Sequence, residues 1–435
     1  MMYSTDVLNN AIKGTLQVPG DKSISHRSLI FSLLAKGKCR VTRLSPAADC
    51  QSTAECLRSL GVHIERTAEG EYEIESPGLA GLRQSARLLD AGNSGTTIRL
   101  MCGILAGQPF PSVLDGDDSL RKRPMSRVLN YLAEMGAVVK YLERDDFAPF
   151  QISGAHLQGQ NFKLAIASAQ VQTAIILAGL QADGETSVQL PAVVRDHTER
   201  MLRHTGVPFG QEGLVTSVSR LTKPVDGFQI NVAGDISSAA FFMVAAACMP
   251  GSELHLPNVG MNAGRTLVID VLKEMGADIS VENAREDCGE PVATVVVRGG
   301  ARLKGVTIGG DRIAVGIDEI PILSLAGALC EGTFAVRDAS ELRVKESDRL
   351  KLICANLRAA GANVTGEFAD GFDIEGVQQL NGGCHWQTDH DHRLAMMGLV
   401  ADAICEESVE VDNAQCVSVS YPNFEMDLNS VLVPR

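Results

Sequence analysis

The sequence predicts a chain of α/β (α+β) class, built as two similar halves of three units each. Three observations predict it. A polar or charged helix start, followed by a run of small and apolar residues, returns near Ser23, Ser94, Ser168, Ile236, Asp318 and His390, at intervals of 68 to 82 residues. A helix end of the form Leu-x-x-x-Gly before an apolar strand occurs at Leu57–Gly61, Leu132–Gly136, Leu202–Gly206, Leu272–Gly276 and Leu357–Gly361. Finally, Leu16-Gln17-Val18-Pro19-Gly20-Asp21 is echoed 214 residues later by Ile230-Asn231-Val232-Ala233-Gly234-Asp235.

Each observation carries a different weight. Glycine commonly follows a helix C-terminus, so one such ending says little, whereas five at near-constant spacing imply a repeated unit. The units alternate helices with β-branched runs such as 293–297, which predicts sheets packed on helices. Their length exceeds the roughly 20 to 50 residues of solenoid repeats. The twofold echo marks Asp21 and Asp235 as crossings between halves. The expected domains are therefore 20–229 and, discontinuously, 1–19 with 230–435.

Length and composition narrow the class of function. At 435 residues the chain exceeds one ordinary core. The longest nearly uncharged run, 239–250, is too short to span a bilayer, and the first residues show neither a basic region nor an apolar signal core. A cytoplasmic location is expected. The eleven cysteines include no C-x-x-C pair and lie mostly in apolar helical runs, as buried thiols of a reducing compartment do. A net charge of −14 argues against nucleic acid and anionic membranes as partners. A small anion remains possible, because screening over about 8 Å lets a local basic cluster govern its own cleft.

The first helix start reads as an anion seat. Thr15 to Val18 is strand-like, Pro19 and Gly20 close it, and Ser23 is placed to cap a helix with apolar positions Leu29, Ile30, Leu33 and Leu34 that Gly37 ends. Free amides and the positive end of the helix dipole favour phosphate or carboxylate there. Ser23 and Arg27 share a face, with Lys22 beside them. A nucleotide phosphate loop is not the reading, since Asp21 separates Gly20 from Lys22. Corresponding starts carry Gly92-Asn93-Ser94-Gly95 with Arg99, then Ser168-Ala169-Gln170, Asp318-Glu319, and Asp389-His390-Asp391-His392-Arg393. Two basic clusters, 120–125 and 341–350, lie on connecting segments. Taken singly, the first reads as a surface loop and the second as a solvated helix with Glu346 paired to Arg349.

Jointly these motifs say more. Lys22-Ser23-Ile24-Ser25-His26-Arg27, Gly92-Asn93-Ser94-Gly95-Thr96-Thr97-Ile98-Arg99, Lys122-Arg123-Pro124-Met125, Ser168-Ala169-Gln170, Arg195-Asp196-His197-Thr198-Glu199, Ile317-Asp318-Glu319, 343–349 and Asp391-His392-Arg393-Leu394-Ala395-Met396 occur in order. The set, from about Val18 to Phe424, resembles the 5-enolpyruvylshikimate-3-phosphate synthase family, the carboxyvinyl transferases of the shikimate pathway.

The resemblance implies an enolpyruvyl transferase-like fold of six βαβαββ-type units closing like a clamp over phosphoenolpyruvate and shikimate 3-phosphate. It implies that Lys22, Ser23, Arg27, Ser168, Ala169, Gln170, Arg195, Asp318 and Lys345 hold shikimate 3-phosphate. Phosphoenolpyruvate would be held by Lys22, Gly95, Arg123, Gln170, Arg349 and Arg393. Asp318 would take the hydroxyl proton, while Glu346 with Lys22 handles the methylene proton. It further implies small-molecule partners only, a monomer, no cofactor, no metal, and inhibition by glyphosate. One departure stands out: the lysine many members carry near the C-terminus is Val419 here, within 416–422.

Three rival readings are disfavoured by the residues. The sister transferase acting on UDP-N-acetylglucosamine needs a cysteine in a glycine-rich mobile loop, which this chain lacks. A zinc enzyme is suggested by 385–392, but the H-x-x-x-H spacing is missing and the expected role of this stretch is to cap and orient Arg393. A binding protein without catalysis would have no use for Asp318 and Glu346 among its cations.

Overall fold

The computed structural model describes residues 10–154 and 156–434; the amino-terminal segment read above for signal features, up to residue 9, lies outside them. Contacts partition the described chain into two units. An amino-terminal unit comprises 20–233 with 286–290, and a carboxy-terminal unit comprises 10–19, 234–285 and 291–434.

The helices, in chain order, are α1 (Lys22–Phe31), α2 (Ala48–Ser59), α3 (Gly95–Leu105), α4 (Ser126–Glu134), α5 (Ala169–Gly179), α6 (His197–Thr205), α7 (Ile236–Cys248), α8 (Leu267–Glu274), α9 (Asp311–Gly316), α10 (Ile320–Ala328), α11 (Arg349–Ala359), α12 (His392–Ile404) and α13 (Phe424–Val431). One unit shows the recurring order. Strand Leu89–Asp90, α3, strand Pro111–Asp115, α4 and the hairpin Val138–Tyr141 with Phe150–Ser153 follow one another as βαβαββ. The first two strands pair in parallel, joined by a helical crossover, and the hairpin adds antiparallel strands. The same parallel-then-antiparallel pattern recurs in the sheets around Lys38–Thr42, Glu185–Gln189 and Thr333–Val336.

The strand preceding α1 explains why the units are discontinuous in sequence. Asn10–Thr15 pairs in parallel with Glu253–Gly260, the strand after α7. Conversely Gln229–Asn231, which precedes α7, pairs in parallel with Lys38–Thr42, the second strand after α1. Each of these strands thus completes the first sheet of the other half of the sequence.

Within the amino-terminal unit α3 packs on α1 and α5; within the carboxy-terminal unit α7, α10 and α12 pack on one another. Helices α5, α7 and α10 are buried almost all round, which is why their sequences show no polar stripe. Packing of α3 on α5 is close: a Cβ at Gly103 would stand 2.2 Å from the Ala174 carbonyl oxygen. The glycines after α2, α4, α6, α8 and α11 all adopt positive φ, between 75° and 112°, the left-handed turn that only glycine takes without strain.

Three local expectations need correction. The strand near the start is Asn10–Thr15, not 15–18. Helix α1 is capped by Asp21, whose Oδ1 accepts from Ile24 N at 2.9 Å; Ser23 lies inside the first turn. The helix also stops at Phe31, and a 3-10 turn and a short strand intervene before Gly37. No helix among the described residues is long and apolar enough to cross a membrane.

Candidate active site

In the amino-terminal unit the predicted residues sit at helix starts. Lys22 and Ser23 open α1 and are half-buried, while Arg27, one turn on, is buried. Arg27 spends its donors on Thr198 Oγ1 (Nε, 3.0 Å), Thr173 Oγ1 (Nη2, 2.7 Å) and the Ser23 carbonyl (Nη1, 3.1 Å). Burial pushes its guanidinium down to about 10, against the pull of Glu199. Arg195 Nη1 reaches Ser23 Oγ at 3.5 Å. Lys22 Nζ forms an ion pair of 3.0 Å with Asp49, which sequence reasoning missed because it lies 27 residues away on α2.

Around α3, Ser94 caps the helix through Thr97 N and Gly95 begins it. Arg123 Nη2 donates to Asn93 Oδ1 at 2.9 Å and to Ser119 Oγ at 3.2 Å. A Cβ at Gly95 would stand 2.8 Å from Arg99 Nη1 and 3.4 Å from Arg123 Nη1, so two guanidiniums approach this one residue. Ser168 caps α5, Ala169 is its first residue, and Gln170 follows in the first turn. Gln170 joins this group through Arg99, its Oε1 accepting from Arg99 Nη1 at 2.9 Å.

Beneath these helix starts runs a chain of hydroxyls. Buried His26 Nδ1 bonds Thr53 Oγ1 (2.7 Å), which bonds Thr97 Oγ1 (2.7 Å), which donates to Ser94 Oγ (2.8 Å). Burial, then the Lys22 and Arg27 charges, holds His26 well below its ordinary value, so it is neutral.

The carboxy-terminal unit gathers the remaining predictions. Asp318 stands just before α10, with Lys345 Nζ at 4.0 Å, Arg349 Nη1 at 3.6 Å and Arg393 Nη2 at 3.7 Å from its carboxylate. Arg393 Nη1 also donates to the Asp318 carbonyl at 3.1 Å. Glu346 accepts from Arg349 Nη2 at 2.6 Å. The expected 346–349 pair therefore exists, but Arg349 is 1% exposed rather than solvated, and helix α11 begins only at Arg349, capped by Asp348. Burial alone would lower Arg349; Asp391, Glu346 and Asp318 outweigh it and hold the group firmly charged. Its buried Nη1 nevertheless has no hydrogen-bond acceptor among the described residues.

Neighbouring Glu319 turns the other way, bonded by the Ser237 hydroxyl, which also accepts from Arg265 at 2.6 Å. Burial, then the Asp318 charge, raises its pKa. In the histidine-rich stretch, Asp391 caps α12 through Arg393 N at 2.9 Å, and His385 pairs with Glu410 on the surface. Among the described residues no group of three or more His, Cys, Asp or Glu is placed to hold a metal ion. An open cavity of about 480 Å³ on the amino-terminal unit, lined by Phe209, Arg220 and Lys223 among others, contains none of the predicted residues.

Chemically, both units present cations in numbers, and the carboxy-terminal one sets two carboxylates among its cations. The first arrangement suits anions; the second adds groups able to move protons.

Comparison with known proteins agrees in kind. The model of the family described as EPSP synthase (3-phosphoshikimate 1-carboxyvinyltransferase) matches residues 8–428. The 3-phosphoshikimate 1-carboxyvinyltransferase of Desulfitobacterium hafniense is 47% identical over 413 residues, covering 95% of this chain and 94% of that one. Its Bacillus subtilis counterpart is 44% identical over 420 residues, covering 97% of each. Among solved structures, EPSP synthase from Acinetobacter baumannii superposes with a TM-score of 0.87 at 41% identity, over 98% of this chain and 97% of that chain. The enolpyruvyl transferase NikO from Streptomyces tendae shares the fold, with a TM-score of 0.80 at 16% identity, over 98% and 97% of the two chains.

Proposed function

The chain belongs to the EPSP synthase (3-phosphoshikimate 1-carboxyvinyltransferase) family, and from that premise we propose how its residues divide the work. The reaction transfers the carboxyvinyl group of phosphoenolpyruvate to the 5-hydroxyl of shikimate 3-phosphate and releases phosphate, a step of aromatic amino acid biosynthesis. Lys22, Ser23, Arg27, Ser168, Ala169, Gln170 and Arg195, with Asp318 and Lys345, hold shikimate 3-phosphate. Lys22, Gly95, Arg123, Gln170, Arg349 and Arg393 hold phosphoenolpyruvate.

The observation that carries this reading is Arg349: a buried, charged guanidinium with one nitrogen lacking a hydrogen-bond acceptor among the described residues, 3.6 Å from a carboxylate. A buried donor without a partner costs stability unless a ligand uses it. A carboxylate oxygen can accept from that nitrogen in a charge-assisted bond.

In the proposed sequence Asp318 removes the 5-hydroxyl proton as the oxygen attacks the enol carbon, and Glu346 with Lys22 delivers a proton to the methylene carbon. The tetrahedral adduct then loses phosphate while a methyl proton returns to that acid–base pair, restoring the double bond. Base and acid work together only if their surroundings separate their proton affinities. Asp318 has Lys345, Arg349 and Arg393 within 4.0 Å, and Glu346 pairs with Arg349, so both carboxylates stand among cations where a proton can be moved. With Val419 in place of a lysine, the arginines carry the phosphoenolpyruvate charge. The enzyme is proposed to act as a cytoplasmic monomer; eleven free thiols suit a reducing compartment.

The test is phosphate release from phosphoenolpyruvate with and without shikimate 3-phosphate. Release that requires both supports the reading, and release from phosphoenolpyruvate alone counts against it.

A further inference from the structure

We propose that Arg99 is a positioning residue that fixes which end of the Gln170 amide meets the anionic substrates. The proposal rests on the reading of Gln170 as a substrate contact. Gln170 Oε1 accepts from Arg99 Nη1 at 2.9 Å, and Gln170 Nε2 donates to Thr96 Oγ1 at 2.9 Å.

The two partners differ in what they can decide. A hydroxyl donates or accepts, so Thr96 tolerates either amide orientation. A guanidinium has only donors, so the amide atom facing Arg99 must be the oxygen. Arg99 therefore sets the orientation. With Oε1 engaged, Nε2 keeps one N–H beyond the one given to Thr96, and an anion can accept it. Turned over, the amide would present its carbonyl to a phosphate or carboxylate and repel it. Donation into Oε1 by a cation also polarises the amide and strengthens the remaining N–H as a donor.

Gly95 leaves room for the arrangement. A Cβ at that position would stand 2.8 Å from Arg99 Nη1, closer than such contacts are found, so the flexible end of Arg99 would have to shift slightly. The guanidinium already lies against this residue, with Nη1 3.4 Å from the Gly95 carbonyl. Nothing in the spacing of Arg99 and Gln170, 71 residues apart, announces the bond.

Steady-state kinetics and thermal melting of the full chain test the proposal with Arg99→Met, Arg99→Lys, Gln170→Ala and the double variant Arg99→Met/Gln170→Ala. Arg99→Met is expected to lower kcat/KM for phosphoenolpyruvate by about 10- to 100-fold, the loss of a hydrogen bond to a charged group, with melting little changed. Arg99→Lys, still a donor-only cation, is expected to recover part of it. In the Gln170→Ala background Arg99→Met should cost less than about twofold more, since residues acting through one contact are not additive. Wild-type kinetics in Arg99→Met overturns the proposal, and so does an equal loss from Arg99→Met with and without Gln170. If Gln170→Ala is itself silent, the reading of Gln170 as a substrate contact fails and the proposal falls with it, a result distinct from an active Gln170 with an independent Arg99.

Discussion

Arg349 Nε donates to Asp391 Oδ2 over 2.7 Å, with side chains only 1% and 0% exposed. Asp391 Oδ1 accepts a second, longer bond from Arg349 Nη2 at 3.2 Å and also caps α12 through Arg393 N. One carboxylate thus holds two of the three arginines assigned to phosphoenolpyruvate, Arg349 by charge and Arg393 through its backbone. Asp391→Asn keeps the cap but leaves a buried cation short of its counter-ion. Breaking a buried pair on one side costs about 3 to 5 kcal/mol. Urea unfolding should show a loss of that order, with a raised KM for phosphoenolpyruvate. A stability change within experimental error would show that Arg349 is held by its other neighbours.

Asp318→Asn and Glu346→Gln should retain shikimate 3-phosphate binding and lose turnover, each by about 100- to 10,000-fold, the usual contribution of a positioned acid or base. Calorimetric binding together with phosphate release separates the two effects. Near-normal turnover in either variant removes that residue from the mechanism.

His26 predicts a pH dependence of stability. Its folded-state pKa is depressed, chiefly by burial, below the ordinary 6.5. Below 6.5 the unfolded chain takes up a proton that folded His26 refuses, so its contribution is fully present above that pH and is lost as pH falls. The slope approaches about 1.4 kcal/mol per pH unit for one such group. His26→Gln should remove this component, so that the stability difference between wild type and variant shrinks between pH 6.5 and 5. A difference independent of pH would mean that folded His26 takes up its proton as readily as the unfolded chain does.

Gly95→Ala should confer tolerance to glyphosate on a protein that is otherwise sensitive. Overpacking by one methyl costs about 1 to 3 kcal/mol, a weakening of inhibition by about ten- to two-hundredfold. The methyl would also crowd Arg99, a flexible side chain able to move, so the fold should tolerate it while KM for phosphoenolpyruvate rises less than the inhibition constant. Parallel inhibition curves decide the matter. Equal inhibition of both proteins, or tolerance in the unmodified one, would show that space at residue 95 does not set the response.

What is local or repeated in this protein can be read from residue order alone. Glycines at 61, 136, 206, 276 and 361 mark helix ends because the left-handed turn there excludes other residues, and Ser94 and Ser168 cap helices through amides three positions on. Motif order also carried the family, since so many polar patterns in sequence are not met by chance. Tertiary structure decided the partners. Asp21 rather than Ser23 caps α1, although both side chains suit a cap, because the turn through Pro19 and Gly20 brings the chain into the helix two residues early. Arg349, in a stretch charged enough to read as solvated, is buried because its neighbours include Asp391, 42 residues away. Lys22 with Asp49, Arg27 with Thr198 and Arg99 with Gln170 likewise join separate helices. Periodicity encodes the backbone path, which nearest neighbours govern. Which side chain meets which across two helices depends on how those helices pack, and no spacing along the chain states that.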